Sequence, residues 1–165
     1  MAAIIFDTHK DGLCPDFLEG LNQLKAEELL AALAAFRLAI KHSIDDEYSS
    51  LYASYHGLVN ARLGNPNGLR QCRLAAHFEQ QHADVFLNLA RVEVLEGNRT
   101  RALDALRSGL RLEPAHIVLR QMRKELGVRR SPCIGWLNRD HRINQALGRF
   151  TYWVTAFREG NIKDL

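Results

Sequence analysis

The dipeptide Gly64-Asn65 returns as Gly97-Asn98, 33 residues later. Each copy falls at a break between two stretches of helical apolar spacing. A fixed period in the thirties is characteristic of arrays of helix pairs. It constrains the fold more than composition does, because a single pair cannot bury its apolar stripe and needs the next pair stacked against it.

The apolar pattern along the chain is helical almost throughout. Cys14 takes a capping position with Pro15 at the first helical place, ahead of Phe17, Leu18, Leu21 and Leu24 on one face. Leu29, Leu30, Leu33, Phe36 and Ile40 follow with no clear breaker, so one bent or continuous helix is compatible with both runs. Ile44-Asp45-Asp46 ends that run and offers an acidic start to the next. A helix is expected over about 47 to 63 with Leu51, Tyr52, Tyr55, Leu58 and Val59. After it, Asn65 can cap and Pro66 can open a segment running to about 79. A further helix carries Val85, Phe86, Leu89, Val92 and Leu95 and ends at Gly97. Asn98 or Thr100 caps the next, which buries Ala102, Leu103, Leu106 and Leu110. Pro114 is expected to open a helix with Val118, Leu119, Met122 and Leu126, closed by Gly127. No strand-like alternation is longer than AAIIF near the start. The expected class is all-α.

The stretch ADVFLNLARVEVLEGNRTRALDALRSGLRLEPAH, 83 to 116, resembles the tetratricopeptide repeat family. Phe86 stands at the large-hydrophobe position, Leu89-Ala90 at the large-then-small pair, Ala102 four residues before Leu106, and Pro114 near the close. Small side chains at Ala90 and Ala102 let two helices approach, and Phe86 and Leu106 fill the space beside them. The likeness is fullest over 83–116, partial over 49–82 and slight over 13–46. In 49–82, Tyr52, Tyr55 and Val59 suit one register, and Gly57 and Gly64 suit another shifted by one residue. In the earliest unit, Ala32, Phe36 and Ala39 keep the second-helix spacing.

The resemblance implies a right-handed α-solenoid of about three helix pairs. The expected layout is a leader over 1–13, repeats over 14–126, a basic extended connection over 127–138 and a C-terminal amphipathic helix over 139–158. That last helix carries Ile143, Leu147, Phe150, Val154 and Phe157 and would cover the open end of the stack. It also implies a concave groove lined by first helices, holding a peptide segment of another protein. The lining residues would be Asp84, Leu87, Asn88 and Arg91, joined by Tyr52 and Tyr55 from the preceding unit. Asn88 sits where such repeats commonly carry an asparagine that bonds either a ligand backbone or the scaffold. The tyrosines can be groove anchors or core.

Charge is uneven. Residues 120–149 hold eight basic side chains against Glu125 and Asp140, a local +6 that leaves −3 for the rest of a chain of net charge +3. Arg129, Arg130, Arg139 and Arg142 around Trp136 could meet phosphates or an anionic membrane, or form a solvated face with Trp136 packed on the last helix pair. The expected function is therefore a non-catalytic adaptor with a protein or peptide partner. The alternatives are a small chaperone of the same repeat type for a secreted or assembling protein, and nucleic-acid or membrane binding through the basic tail. Such chaperones are usually acidic, and this chain is basic. Self-association through the groove or terminal helix stays open.

An enzyme finds little support. Cys72, His77 and His82 are five residues apart and diverge around a helix, so no metal is expected. His56 and His116 have no carboxylate or nucleophile at helical contact spacing. Phosphate-loop and hydrolase motifs are absent, and no cofactor is implied. MAAIIFDTHKDG has no basic residue before its short apolar run, and three cysteines without a CxxC pair suit reduced thiols, so a cytoplasmic location is expected.

Overall fold

A computed structural model describes residues 12–42 and 47–127. Within them lie seven α-helices: α1 (Pro15–Lys25), α2 (Leu29–His42), α3 (Ser49–Arg62), α4 (Asn67–Phe78), α5 (Ala83–Leu95), α6 (Arg99–Leu112) and α7 (Ile117–Leu126). The main packing joins each helix to its successor, with α3 also lying against α5. The AAIIF segment, the Ile44-Asp45-Asp46 stop, Cys133, the 128–138 connection and the 139–158 helix lie outside the described residues.

α1 and α2 are separate helices, where the sequence left one continuous helix open. The break is at Glu27, whose φ of 63° places it in the left-handed region that Gly64 (79°) and Gly97 (74°) occupy at the other two bends. The backbone bonding is the same at all three. Ala26, Leu63 and Glu96 donate to Asn22, Val59 and Val92; Glu27, Gly64 and Gly97 donate to Leu24, Ala61 and Val94; Glu28, Asn65 and Asn98 donate to Gln23, Asn60 and Glu93. The last of these closes a wide turn that satisfies the orphan carbonyls of a helix end. The bend between α1 and α2 escapes a sequence search because a glutamate stands where glycine would signal it. Its carboxylate accepts a hydrogen bond from Arg62. Glu27→Gly removes the left-handed strain of a Cβ-bearing residue and loses only a surface ion pair, so stability should rise by about 0.5–1 kcal/mol. That corresponds to a thermal midpoint roughly 2–4 °C higher, and a midpoint unchanged or lower would show Glu27 to be unstrained.

Small residues set the helix spacing. Gly20, Gly57 and Ala90 each precede their bend by seven residues and are all buried. A Cβ on Gly20 would run into the Phe36 ring at 2.6 Å, and one on Gly57 into Cys72 Sγ at 2.8 Å. The buried faces of the second helices match likewise: Ala32, Phe36 and Ala39; Gly68, Cys72 and Ala75; Ala102, Leu106 and Gly109. Along α3 and α5, Tyr52, Tyr55, Gly57 and Val59 coincide with the buried Val85, Asn88, Ala90 and Val92 at an offset of 33, whereas the buried faces of α4 and α6 coincide at 34, so no single register runs through 49–82.

Several local expectations change. Leu30 is 74% exposed and Ile40 lies outside the buried face of α2, which is carried by alanines and Phe36. Pro114 lies in a turn and α7 begins only at Ile117, because His116 caps it by accepting the Leu119 N–H on Nδ1 at 3.3 Å. Thr100 is inside α6, with Asn98 at the cap position. Pro15 opens α1 as expected, but α4 starts at Asn67 with Pro66 at the cap position, one residue later than expected, and Asn65 Oδ1 accepts from Asn67 N–H at 3.0 Å. The C-terminal carbonyls of α7, on Leu126 and Gly127, accept from Arg99 at the start of α6.

Candidate functional site

The side-by-side packing of α3 and α5 buries a chain of polar side chains. Asn88 Nδ2 donates to Ser54 Oγ at 3.1 Å, and the Ser54 hydroxyl donates to the Leu51 carbonyl at 2.7 Å. Arg91 Nη1 donates to Asn88 Oδ1 at 3.4 Å. Ser54 and Asn88 are fully buried, so each must find partners inside the protein, and here each supplies the other's. One turn earlier on α5, Asp84 Oδ1 lies 3.3 Å from His116 Nε2. A neutral His116 protonated on Nε2 satisfies both of its contacts, donating to Asp84 while Nδ1 caps α7.

The electrostatics follow from this geometry. The hydrogen bond to Asp84 pulls the His116 pKa above its ordinary value, against the opposing effect of burial. Burial lowers the pKa of the Arg91 guanidinium, which Tyr55 and Asp84 partly offset. Burial, reinforced by the Asp84 charge, pushes the Tyr55 phenol well above its usual range, although Arg91 and a hydrogen bond with Asn88 act the other way. The seam thus offers one partly exposed cation at Arg91 and one partly exposed carboxylate at Asp84, about two turns apart on one helix. Such a pair is suited to hydrogen-bonding a polypeptide backbone or a charged side chain.

Of the lining residues expected from sequence, Asp84 and Arg91 are partly exposed, whereas Leu87 and Asn88 are buried. Tyr52 and Tyr55 must be corrected from groove to core. They are 0% and 1% exposed, packed with Phe17 and Phe36 in one aromatic cluster, and the Tyr52 hydroxyl accepts the Cys14 N–H at 3.0 Å. The basic residues Arg129, Arg130, Trp136, Arg139 and Arg142 lie outside the described residues. Sequence reasoning missed Ser54 and His116. Their side-chain partners in the seam lie 34 and 32 positions away, on another helix.

Two buried charges brace the adjoining turns. Glu93, 2% exposed, receives Arg73 Nε at 2.7 Å and Nη2 at 3.1 Å, tying α4 to α5. Burial and the Glu93 carboxylate push the nearby Cys72 thiol up to about 12, and its Sγ donates to the Ser54 carbonyl as a neutral thiol. Between α4 and α5, Glu79 Oε1 accepts the backbone N–H groups of Gln80, Gln81 and His82 at 2.6–2.9 Å, with His82 Nδ1 at 3.2 Å. Among the described residues no group of three or more His, Cys, Asp or Glu side chains is arranged to hold a metal. Nor is any helix among them long and apolar enough to cross a membrane.

The Glu79 turn carries a pH signature. Burial alone would raise the Glu79 carboxyl, but hydrogen bonds from His82 and the backbone hold it below its ordinary value. The bond to Glu79 raises His82 against the effect of burial. The carboxylate's contribution to stability is therefore present above its ordinary pKa and lost as pH falls through the lowered value. The imidazolium's is present below 6.5 and lost as pH rises through the raised value. Both act together between 4.5 and 6.5. An NMR titration of the His82 ring should give a midpoint above that of free histidine, returning to ordinary in Glu79→Gln. A His82 midpoint unaffected by that substitution would contradict the pairing.

No protein-family model matches the chain. A comparison with curated proteins returns no match either.

Proposed function

We propose that the chain is a tetratricopeptide-like stack of three helix pairs, α1–α2, α3–α4 and α5–α6, and that it works as a non-catalytic adaptor. In this reading a polypeptide segment of a partner protein lies along the first helices of successive pairs and contacts Asp84 and Arg91. The observation that carries it is the Ser54–Asn88–Arg91 line. It joins equivalent helices one repeat apart through fully satisfied buried polar groups, and so holds Arg91 in a fixed position at the edge of the seam. The threefold bend at Glu27, Gly64 and Gly97 supports the stacked architecture. A cytoplasmic setting and a chaperone's variant of the same role both fit this proposal.

The test is affinity capture by the full chain, comparing wild type with Asp84→Ala/Arg91→Ala. Neither substituted side chain is in the hydrophobic core, so folding should survive. A partner retained by wild type and lost by the double variant is the expected result. A partner held equally by both would remove the seam from the binding surface.

A further inference from the structure

A second surface lies away from the polar seam. A groove runs between α2 and α4 with α3 as its floor, in two connected halves of about 530 Å³ and 520 Å³ that share Arg37, His56 and Gln71. One half is apolar, walled by Ile40, Leu74 and Phe78, and the last two are 59% and 67% exposed. The other is polar, with Asn60 Nδ2 donating to Gln71 Oε1 at 2.9 Å on its floor and Arg70 on its rim. Among the described residues lining the groove, Arg37 and Arg70 are the formal charges; there is no Asp or Glu, and no ion pair engages either arginine. The next arginine along α4, Arg73, is already committed to Glu93.

Large apolar side chains exposed beside unpaired cations in a concave surface define a complementary ligand. We propose that this groove docks an acidic amphipathic segment of another protein, with an aliphatic or aromatic side chain seated against Leu74 and Phe78 and carboxylates meeting Arg37 and Arg70. None of these residues belongs to the seam of Ser54, Asp84, Asn88, Arg91 and His116, so the two surfaces can be occupied independently.

The test selects ligands from a library of random dodecapeptides displayed on phage against the full chain. The expected winners carry Asp or Glu clustered beside Leu, Phe or Trp. A fluorescein-labelled winner should bind at least tenfold more weakly to Arg37→Glu/Arg70→Glu and to Leu74→Ser/Phe78→Ser, and unchanged to Arg91→Glu. Amide chemical-shift mapping on the wild-type chain, which requires no variant to fold, should place its largest changes at Arg37, Gln71, Leu74 and Phe78. Four outcomes would overturn the proposal: no enrichment, winners without acidic residues, shifts confined to α5, or binding lost only in Arg91→Glu. Enrichment failing while a single-stranded oligonucleotide is held through Arg37 and Arg70 would also overturn it and assign the groove to nucleic acid.

Discussion

Gly68→Ala should destabilise the protein by roughly 3 kcal/mol, despite alanine's better helix propensity. At the start of α4, a Cβ on Gly68 would lie 2.6 Å from the Gly57 carbonyl oxygen and 2.8 Å from Ala61 Cα, and nearer still to the Ala61 amide nitrogen. All of these are backbone atoms of α3, so no side chain can swing away to make room, and the two helices must separate. Gly64→Ala provides the contrast. Its Cβ would meet nothing within 4 Å, so its cost comes only from the positive φ, about 1 kcal/mol. Urea unfolding of both variants should rank Gly68→Ala well below Gly64→Ala. Equal midpoints would mean that α3 and α4 are not held at this spacing.

Phe17→Ala should cost about 3–5 kcal/mol, a large part of the ~5–15 kcal/mol that holds a domain of this kind together. Phe17 is 0% exposed, and its ring lies 4.6 Å from Tyr52, 5.3 Å from Tyr55 and 5.6 Å from Phe36 between centroids. Its removal opens a cavity among rigid rings and loses three aromatic contacts together. The thermal midpoint should fall by roughly 10 °C or more. Phe78→Ala, at a side chain 67% exposed, should stay within about 0.5 kcal/mol of wild type. A small effect at Phe17 would show that α1 does not share the core of α3.

The helices from α3 onward were legible because their punctuation is explicit. Gly64-Asn65-Pro66 and Gly97-Asn98 mark bends that only a few residue types favour. The bend at Glu27 was not legible, since a residue with no turn preference adopts the same geometry under the control of the packing on either side. Face assignment suffered in α2 for a related reason. Leu30 and Ile40 dominate any hydrophobicity pattern, yet close approach selects the alanines for the interior. At the candidate site, Asp84 and Arg91 were visible through the repeat pattern alone. Tyr52 and Tyr55 look alike in sequence whether they anchor a ligand or fill a core, and only their contact with Phe17 and Phe36 decides between the two. His116 was not legible because its carboxylate comes from α5, a proximity created by tertiary packing that no local spacing encodes.

The most direct measurement is site-specific photocrosslinking, with benzoylphenylalanine placed in turn at position 84, at position 91 and at the exposed position 107 on α6, followed by mapping of the crosslinked peptides. Crosslinks from 84 and 91 should converge on one short segment of a single partner, and 107 should yield none to it. Crosslinks to that partner arising from 107 and absent from 84 and 91 would contradict the proposed site.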